Sequence, residues 1–261
     1  MSCYNEKANE IFYNKTAINY KSTVRINQEG NKKRIRAILS KIIHNNNVKI
    51  LDACCGAGLY LSILKDLTKD GNLTGLDISS EMLKIASKFC KNLKLGSVYK
   101  LPFDDNSFDL VTCSSALHHL DNLEGAISEI YRVLSPSGVF VSDYDNNLHF
   151  AKIHNIMKKL LKTLLVYPLL VKLFKPKHPS QTKAEKKNLE DMPIEELHKI
   201  AEAQNYYHDG VNSSLLRDIL KKTGFKKIEL FVYNSHKWNK GVRFNLRNSV
   251  FNNKIYSIST K

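Results

Sequence analysis

Leu51-Asp52-Ala53-Cys54-Cys55-Gly56-Ala57-Gly58 reads as the end of one element and the start of another. The run Val48-Lys49-Ile50-Leu51-Asp52 is short, largely apolar and closes on an acid, which suits a buried strand. Small residues follow it, and a helical stretch runs on through Leu67. Glycines at a strand-to-helix turn let the backbone approach a ligand with no Cβ in the way. In open parallel sheets ligands bind at the carboxyl ends of the strands, which is where this turn falls.

The pattern repeats outward. Residues 31–44 place Ile35, Ile38, Leu39, Ile42 and Ile43 at helical spacing. Asn72 to Asp77 forms the next predicted strand, and Ser79 caps a helix that reaches Phe89. Strands are then predicted over Leu93–Val98, Phe108–Ser114 and Gly138–Tyr144, with a helix over Leu123–Leu134. Strands alternating with helices predict an α/β, Rossmann-like, doubly wound parallel sheet with helices on both faces. After residue 147 the rhythm changes. Residues 150–177 read as an apolar, lysine-rich helical segment, 178–192 as a polar loop, and Pro193–Gln204 as a short helix. The rhythm resumes with a helix over Ser213–Lys222, Gly224 as its stop, a strand over Phe225–Tyr233 and a final strand over 253–259.

Asp77 ends the second predicted strand, 19 residues after Gly58. An acid at that place can accept hydrogen bonds from both hydroxyls of a ribose, a device shared by NAD enzymes, flavin enzymes and methyltransferases. The turn lacks the full G-x-G-x-x-G, since Cys54 stands at the first glycine position and Tyr60-Leu61 follow the last. A ligand with a ribose and no pyrophosphate fits it better.

Three further stretches narrow the reading: Leu101-Pro102-Phe103-Asp104-Asp105-Asn106-Ser107-Phe108-Asp109, then Leu117-His118-His119, then Glu129-Ile130-Tyr131-Arg132-Val133-Leu134-Ser135-Pro136-Ser137-Gly138. Over about residues 48–145 the chain resembles the class I S-adenosylmethionine-dependent methyltransferases, in the branch of the ubiquinone and menaquinone biosynthesis enzymes. The resemblance implies seven strands with the last antiparallel, and S-adenosylmethionine as cofactor. It puts the turn Ala53, Gly56, Gly58 beneath the methionine portion, with Asp52 holding the turn and the sulfonium end. It gives Asp77 to the ribose and Ile78 to the adenine face, and places Ser114 near the methionine. The family usually carries an Asp after the third strand, near the adenine amino group; here Gly96-Ser97-Val98 fills that place, and Ser97 has no charge. Phe12-x4-Ala17-x2-Tyr20 resembles the family's opening segment, in which the tyrosine closes over the cofactor.

Two histidines are candidates for proton transfer. His119 follows the fourth strand beside His118, and His208 stands beside Asp209, where a carboxylate can orient it. The expected organisation is an N-terminal helical cap over 1–47, a cofactor-binding domain over 48–146 and 211–261, and a helical lid insert over 147–210. The acceptor is read as a small-molecule or lipid-like compound. The Leu- and Lys-rich segment 150–177 is read as lining it, or as touching a membrane surface peripherally.

Composition bounds these readings. The chain has 261 residues, 43% hydrophobic and 25% charged, which is globular composition. The net charge of +15 invites a nucleic-acid partner, but 33 Lys stand against 7 Arg, beside 25 Asn and 21 Ile. That is the bias of AT-rich codon usage, and Arg, the bidentate reader of phosphates and guanines, is scarce. An RNA methyltransferase and a non-catalytic cofactor-binding scaffold stay as alternatives. Cys3, Cys54, Cys55, Cys90 and Cys113 show no metal-ligand spacing, so free thiols and no metal are expected. With no signal-peptide pattern at the start and no apolar run long enough to span a bilayer, the expected location is cytoplasmic.

Overall fold

The structure is a computed structural model that describes residues 4–23, 29–69, 72–146, 188–201, 211–233 and 254–261. Two helices come first, α1 (Tyr4–Thr23) and α2 (Glu29–Leu39). The alternating part follows: β1 (Ile50–Ala53), α3 (Leu59–Leu64), β2 (Leu73–Asp77), α4 (Ser80–Ala86), β3 (Asn92–Leu95), β4 (Phe108–Ser114), a 3-10 turn at Leu117–His119, α5 (Leu123–Val133) and β5 (Leu134–Asn146). A second 3-10 turn at Leu189–Asp191 leads to α6 (Ile194–Ala201), then α7 (Ser213–Thr223), β6 (Lys227–Tyr233) and β7 (Lys254–Thr260).

The seven strands form one sheet in the order β3-β2-β1-β4-β5-β7-β6. Strands β1 to β5 pair in parallel, and β7 runs antiparallel to both its neighbours. The α/β reading and the antiparallel last strand are both seen. The order reverses between β1 and β4, and there the loops after the two strands diverge and open a crevice.

Side chains alternate across the sheet and feed two cores. On one face Leu51, Val111 and Phe140 pack under Ile127, Ile130 and Leu216. On the other, Ile50, Leu110 and Val141 pack under Ile35, Leu39, Leu61 and Leu64. A third, small cluster joins Ala8 and Ile11 of α1 to Leu189, Met192 and Leu197. Helix α1 and the segment from Leu189 to Leu197 therefore share one apolar cluster.

Several boundaries differ from expectation. The third strand stops at Leu95 instead of Val98: Gly96 N–H makes the last bond of the ladder, to the Asp77 carbonyl, and the Ser97 hydroxyl and carbonyl then accept the Tyr99 and Lys100 amides in a turn. The first helix of the sheet ends at Leu64, not Leu67. β5 begins at Leu134, at the end of α5, and its register on β4 shifts between Phe108 and Leu110. The stretch 178–192, read as loop, contains a 3-10 turn at Leu189–Asp191 that buries Leu189. The Ser79 cap stands: its side chain accepts the Met82 amide at 3.1 Å. The lid segment 150–177 and His208 lie outside the described residues.

Candidate active site

A cleft of about 690 Å³ opens at the carboxyl ends of β1, β2 and β4. That is within the ~300–1,000 Å³ of small-molecule sites. Its floor is the turn after β1. Cys54, Gly56 and Gly58 all have positive φ, of 59°, 51° and 84°. The two glycines serve different ends. A Cβ on Gly56 would meet nothing within 4 Å and would point into open space. A Cβ on Gly58 would come within 2.9 Å of the Phe89 ring and 3.0 Å of Ala86 Cα. Gly56 thus offers its backbone to the cleft, while Gly58 lets α4 close on the turn and does not line it.

Two carboxylates face the floor. Asp77 Oδ2 accepts the Gly56 N–H at 2.7 Å and Oδ1 the Ser79 N–H at 2.9 Å, so Asp77 stitches the turn after β1 to the turn after β2. A carboxylate has about four lone-pair sites, which leaves capacity for two hydroxyls. Burial pushes its pKa up, and the amides of Ser79, Gly56 and Ile78 pull the other way. Asp52 Oδ1 accepts the Thr112 hydroxyl at 2.7 Å. Its Oδ2 is buried without a hydrogen-bond partner among the described residues. Burial raises the Asp52 pKa to about 7, against the opposing Thr112 hydroxyl. A buried carboxyl oxygen left over at a cleft floor is complementary to a cationic ligand group.

Helix α1 roofs the cleft through Asn5, Glu6, Asn9, Tyr13 and Tyr20. The Asn14 side chain accepts the Ser79 hydroxyl at 2.7 Å and the Glu81 amide at 3.2 Å. Glu6 accepts a short hydrogen bond from the Ser97 hydroxyl. Tyr13 meets His119: its hydroxyl lies 2.8 Å from Nε2, and Nδ1 lies 3.1 Å from the Ala201 carbonyl. A carbonyl only accepts, so Nδ1 carries the proton and the phenol donates to Nε2. His118 is built differently. Its Nδ1 and its backbone N–H both contact Asp145 Oδ1, at 2.8 and 3.2 Å, and it does not line the cleft.

Of the residues singled out in the sequence, Tyr20, Asp52, Gly56, Asp77, Ile78, Val98, Ser114 and His119 line this one cleft. Ala53, Gly58 and Ser97 do not: Ala53 is fully buried in β1, and Ser97 sits behind Glu6. Sequence reasoning missed Glu6, Asn9, Tyr13 and Asn14, which lie on a helix with little apolar patterning. It also missed a buried charge cluster, in which Arg34 and the Tyr60 hydroxyl both donate to Asp143 Oδ2, at 2.5 and 2.6 Å. A signal for it existed: Arg34 interrupts the apolar face of α2 beside Ile35.

Known proteins place the same segment. Residues 51–142 match the family model described as "Methyltransferase domain". A demethylmenaquinone methyltransferase of Lactiplantibacillus plantarum is 39% identical over 105 residues, covering 37% of this chain and 44% of that protein. One from Staphylococcus carnosus is 32% identical over 142 residues, covering 52% and 59%. The chain thus spans about half the length of the curated relatives it matches. In fold, it is like an S-adenosylmethionine-dependent methyltransferase from Thermotoga maritima, with a TM-score of 0.54 at 15% identity over 96% of this chain and 98% of that one. Magnesium protoporphyrin IX methyltransferase from Synechocystis, solved with S-adenosylhomocysteine, gives a TM-score of 0.52 at 13% identity over 89% and 84%. Residues 51–142 thus match a methyltransferase domain, on a fold shared with solved S-adenosylmethionine-dependent methyltransferases and with demethylmenaquinone methyltransferases as its relatives in sequence.

Proposed function

We propose that this protein transfers the methyl group of S-adenosylmethionine to a small, quinone-like acceptor. The observation that carries the reading is Asp52 Oδ2, a buried carboxyl oxygen without a hydrogen-bond partner among the described residues, on the same cleft as the open backbone of Gly56. S-Adenosylmethionine brings a methyl group on a sulfonium, ready for displacement, together with an ammonium and a ribose. Asp52 would hold the cationic amino-acid end, and the Gly56 backbone would seat it with no side chain between. Asp77 would accept the ribose hydroxyls with its remaining lone pairs, while Ile78 and Val98 flank the base. Tyr20 and Ser114 lie on the same cleft and would help enclose the methionine end. The protein's share of the chemistry is alignment of acceptor and methyl in a cleft shielded by α1.

An acceptor hydroxyl or an activated ring carbon must lose a proton. His119 Nε2 can take it through the Tyr13 phenol, which already points its hydrogen at that nitrogen. The Ala201 carbonyl fixes the tautomer that leaves Nε2 basic. The quinone-like class is supported by the curated relatives, which are named as demethylmenaquinone methyltransferases. Among the described residues no helix is long and apolar enough to cross a membrane, so an acceptor with a lipid tail would be met at the membrane surface or delivered.

The test is direct. Purified protein is given labelled S-adenosylmethionine with detergent-dispersed prenylated naphthoquinol in one arm and transfer RNA in the other. Label in the quinone and none in the RNA is expected, with Tyr13→Phe and His119→Gln slowing turnover by about 10²–10⁴-fold. Label in the RNA alone would overturn the acceptor class. Full activity in both variants would overturn the proton route.

A further inference from the structure

We propose that Glu6, on the roof helix, recognises the amino group of the cofactor's adenine, and that Ser97 positions it. The inference rests on the cofactor reading above and assigns a specificity residue to an element outside the sheet. Its origin is a hydrogen bond that spans 91 residues of chain: the Ser97 hydroxyl donates to Glu6 Oε1. The same Oγ accepts the Tyr99 amide at 3.1 Å. With its proton on Glu6 and its oxygen on Tyr99, Ser97 is a support, and it stays out of the cleft. Glu6 lines the cleft, and Oε1 is the oxygen on Ser97. Its carboxylate is held on Ser97, the chain neighbour of Val98, and Val98 and Ile78 line the same cleft.

A purine between such walls carries its polar edge at one end, and that edge decides which purine is held. An amino group there donates hydrogens; a carbonyl oxygen does not. Asp77 holds the Gly56 and Ser79 amides and, in the reading above, gives its remaining lone pairs to the ribose, which leaves Glu6 as the carboxylate for the base. Helix α1 is fixed well enough to present it. Asn5 donates to the Ile200 carbonyl at 2.7 Å, Ala8 is fully buried, and Asn14 holds the start of α4. A carboxylate so placed favours a 6-amino purine and repels a 6-oxo purine.

The experiment compares two ligands by calorimetry on the full chain: S-adenosylhomocysteine and its 6-oxo counterpart, S-inosylhomocysteine. The wild-type protein is expected to prefer the amino form by about 10–100-fold, the range of a hydrogen bond to a charged group. Glu6→Gln keeps the shape and an acceptor for Ser97, but its amide can turn a donor to a carbonyl, so the preference should collapse toward unity. Ser97→Ala should lower it part of the way, and carries the test should Glu6→Gln fail to fold. A wild-type preference kept in both Glu6→Gln and Ser97→Ala would overturn the assignment. So would tight binding of both ligands by the wild-type protein with no preference, although the cofactor reading would then survive. Binding of neither ligand would overturn both.

Discussion

The floor and the roof of the cleft are made by different kinds of information. The floor, residues 53–58, is set by local rules: a strand ends, three residues take positive φ, and glycine stands at two of them. The roof, α1, is set by partners far away in the chain. Asn14 reaches 65 residues to Ser79, Glu6 reaches 91 to Ser97, and Asn5 reaches 195 to Ile200. A floor built from backbone geometry tolerates few substitutions and fails sharply. A roof built from exchangeable polar pairs should fail by degrees, each lost pair costing about 1 kcal/mol.

The contrast is sharpest within the floor itself. Gly58→Val forces a β-branched residue into the left-handed region and drives its Cβ into Phe89 and Ala86. The expected cost is about 3–5 kcal/mol, enough to leave little folded protein. Gly56→Val meets open space instead, so the strain at φ 51° is its only structural penalty, about 1–3 kcal/mol. That variant should fold and lose S-adenosylhomocysteine binding. Urea denaturation and calorimetry on the pair check this; equal stability in the two variants would erase the division of labour.

Asp52 gives the next largest effect, and it depends on pH. Burial holds its pKa at about 7 in the folded chain, above the ordinary 3.8. The unfolded chain therefore releases this proton first, and stability falls as pH rises from about 4 to about 7. The difference of about three pH units corresponds to about 4 kcal/mol at most. Asp52→Asn should remove that decline and be the more stable protein at pH 8. A cationic ligand beside Asp52 would pull its pKa down, so binding at pH 6 should expel a proton. Calorimetry in buffers of different ionisation enthalpy reads this directly, and a heat independent of buffer would separate Asp52 from the ligand's cation. Asp77→Ala follows, removing charged acceptors from the Gly56 and Ser79 amides. It should weaken S-adenosylhomocysteine by about 1.5–3 kcal/mol.

The same contrast accounts for what could be read from the chain alone. The sheet, the Ser79 cap, and Gly56, Asp77 and Asp52 as cleft residues are local or nearest-strand features, legible in short apolar runs that close on an acid or a small-residue turn. The third strand is shorter than its apolar pattern suggests because Ser97 takes the Tyr99 and Lys100 amides into a turn, which apolar patterning does not show. Ser97 looked like a weak substitute for an acid, because nothing near it in sequence says that Glu6 faces it. Tyr13 was missed for the same reason, since its partner His119 lies 106 residues away. His119 could be singled out, but its difference from His118 rests on Ala201 and Asp145, which only the fold brings near.

Asn14→Ala is the mildest way to test the roof. The variant removes one side chain that accepts from both the Ser79 hydroxyl and the Glu81 amide. Ser79 keeps its cap on the Met82 amide, so α4 itself should persist. The cost to global stability should be about 1 kcal/mol, well below that of Gly58→Val in the floor. Its effect should be local: α1 amides exchange faster, while those of β1 and β4, which lie in the centre of the sheet, exchange at wild-type rates. Cofactor affinity should fall only a few-fold, because Asp52, Gly56 and Asp77 stay in place. Faster exchange across β1 and β4 as well would mean that roof and floor unfold as one unit, and that the roof is part of the core it was contrasted with.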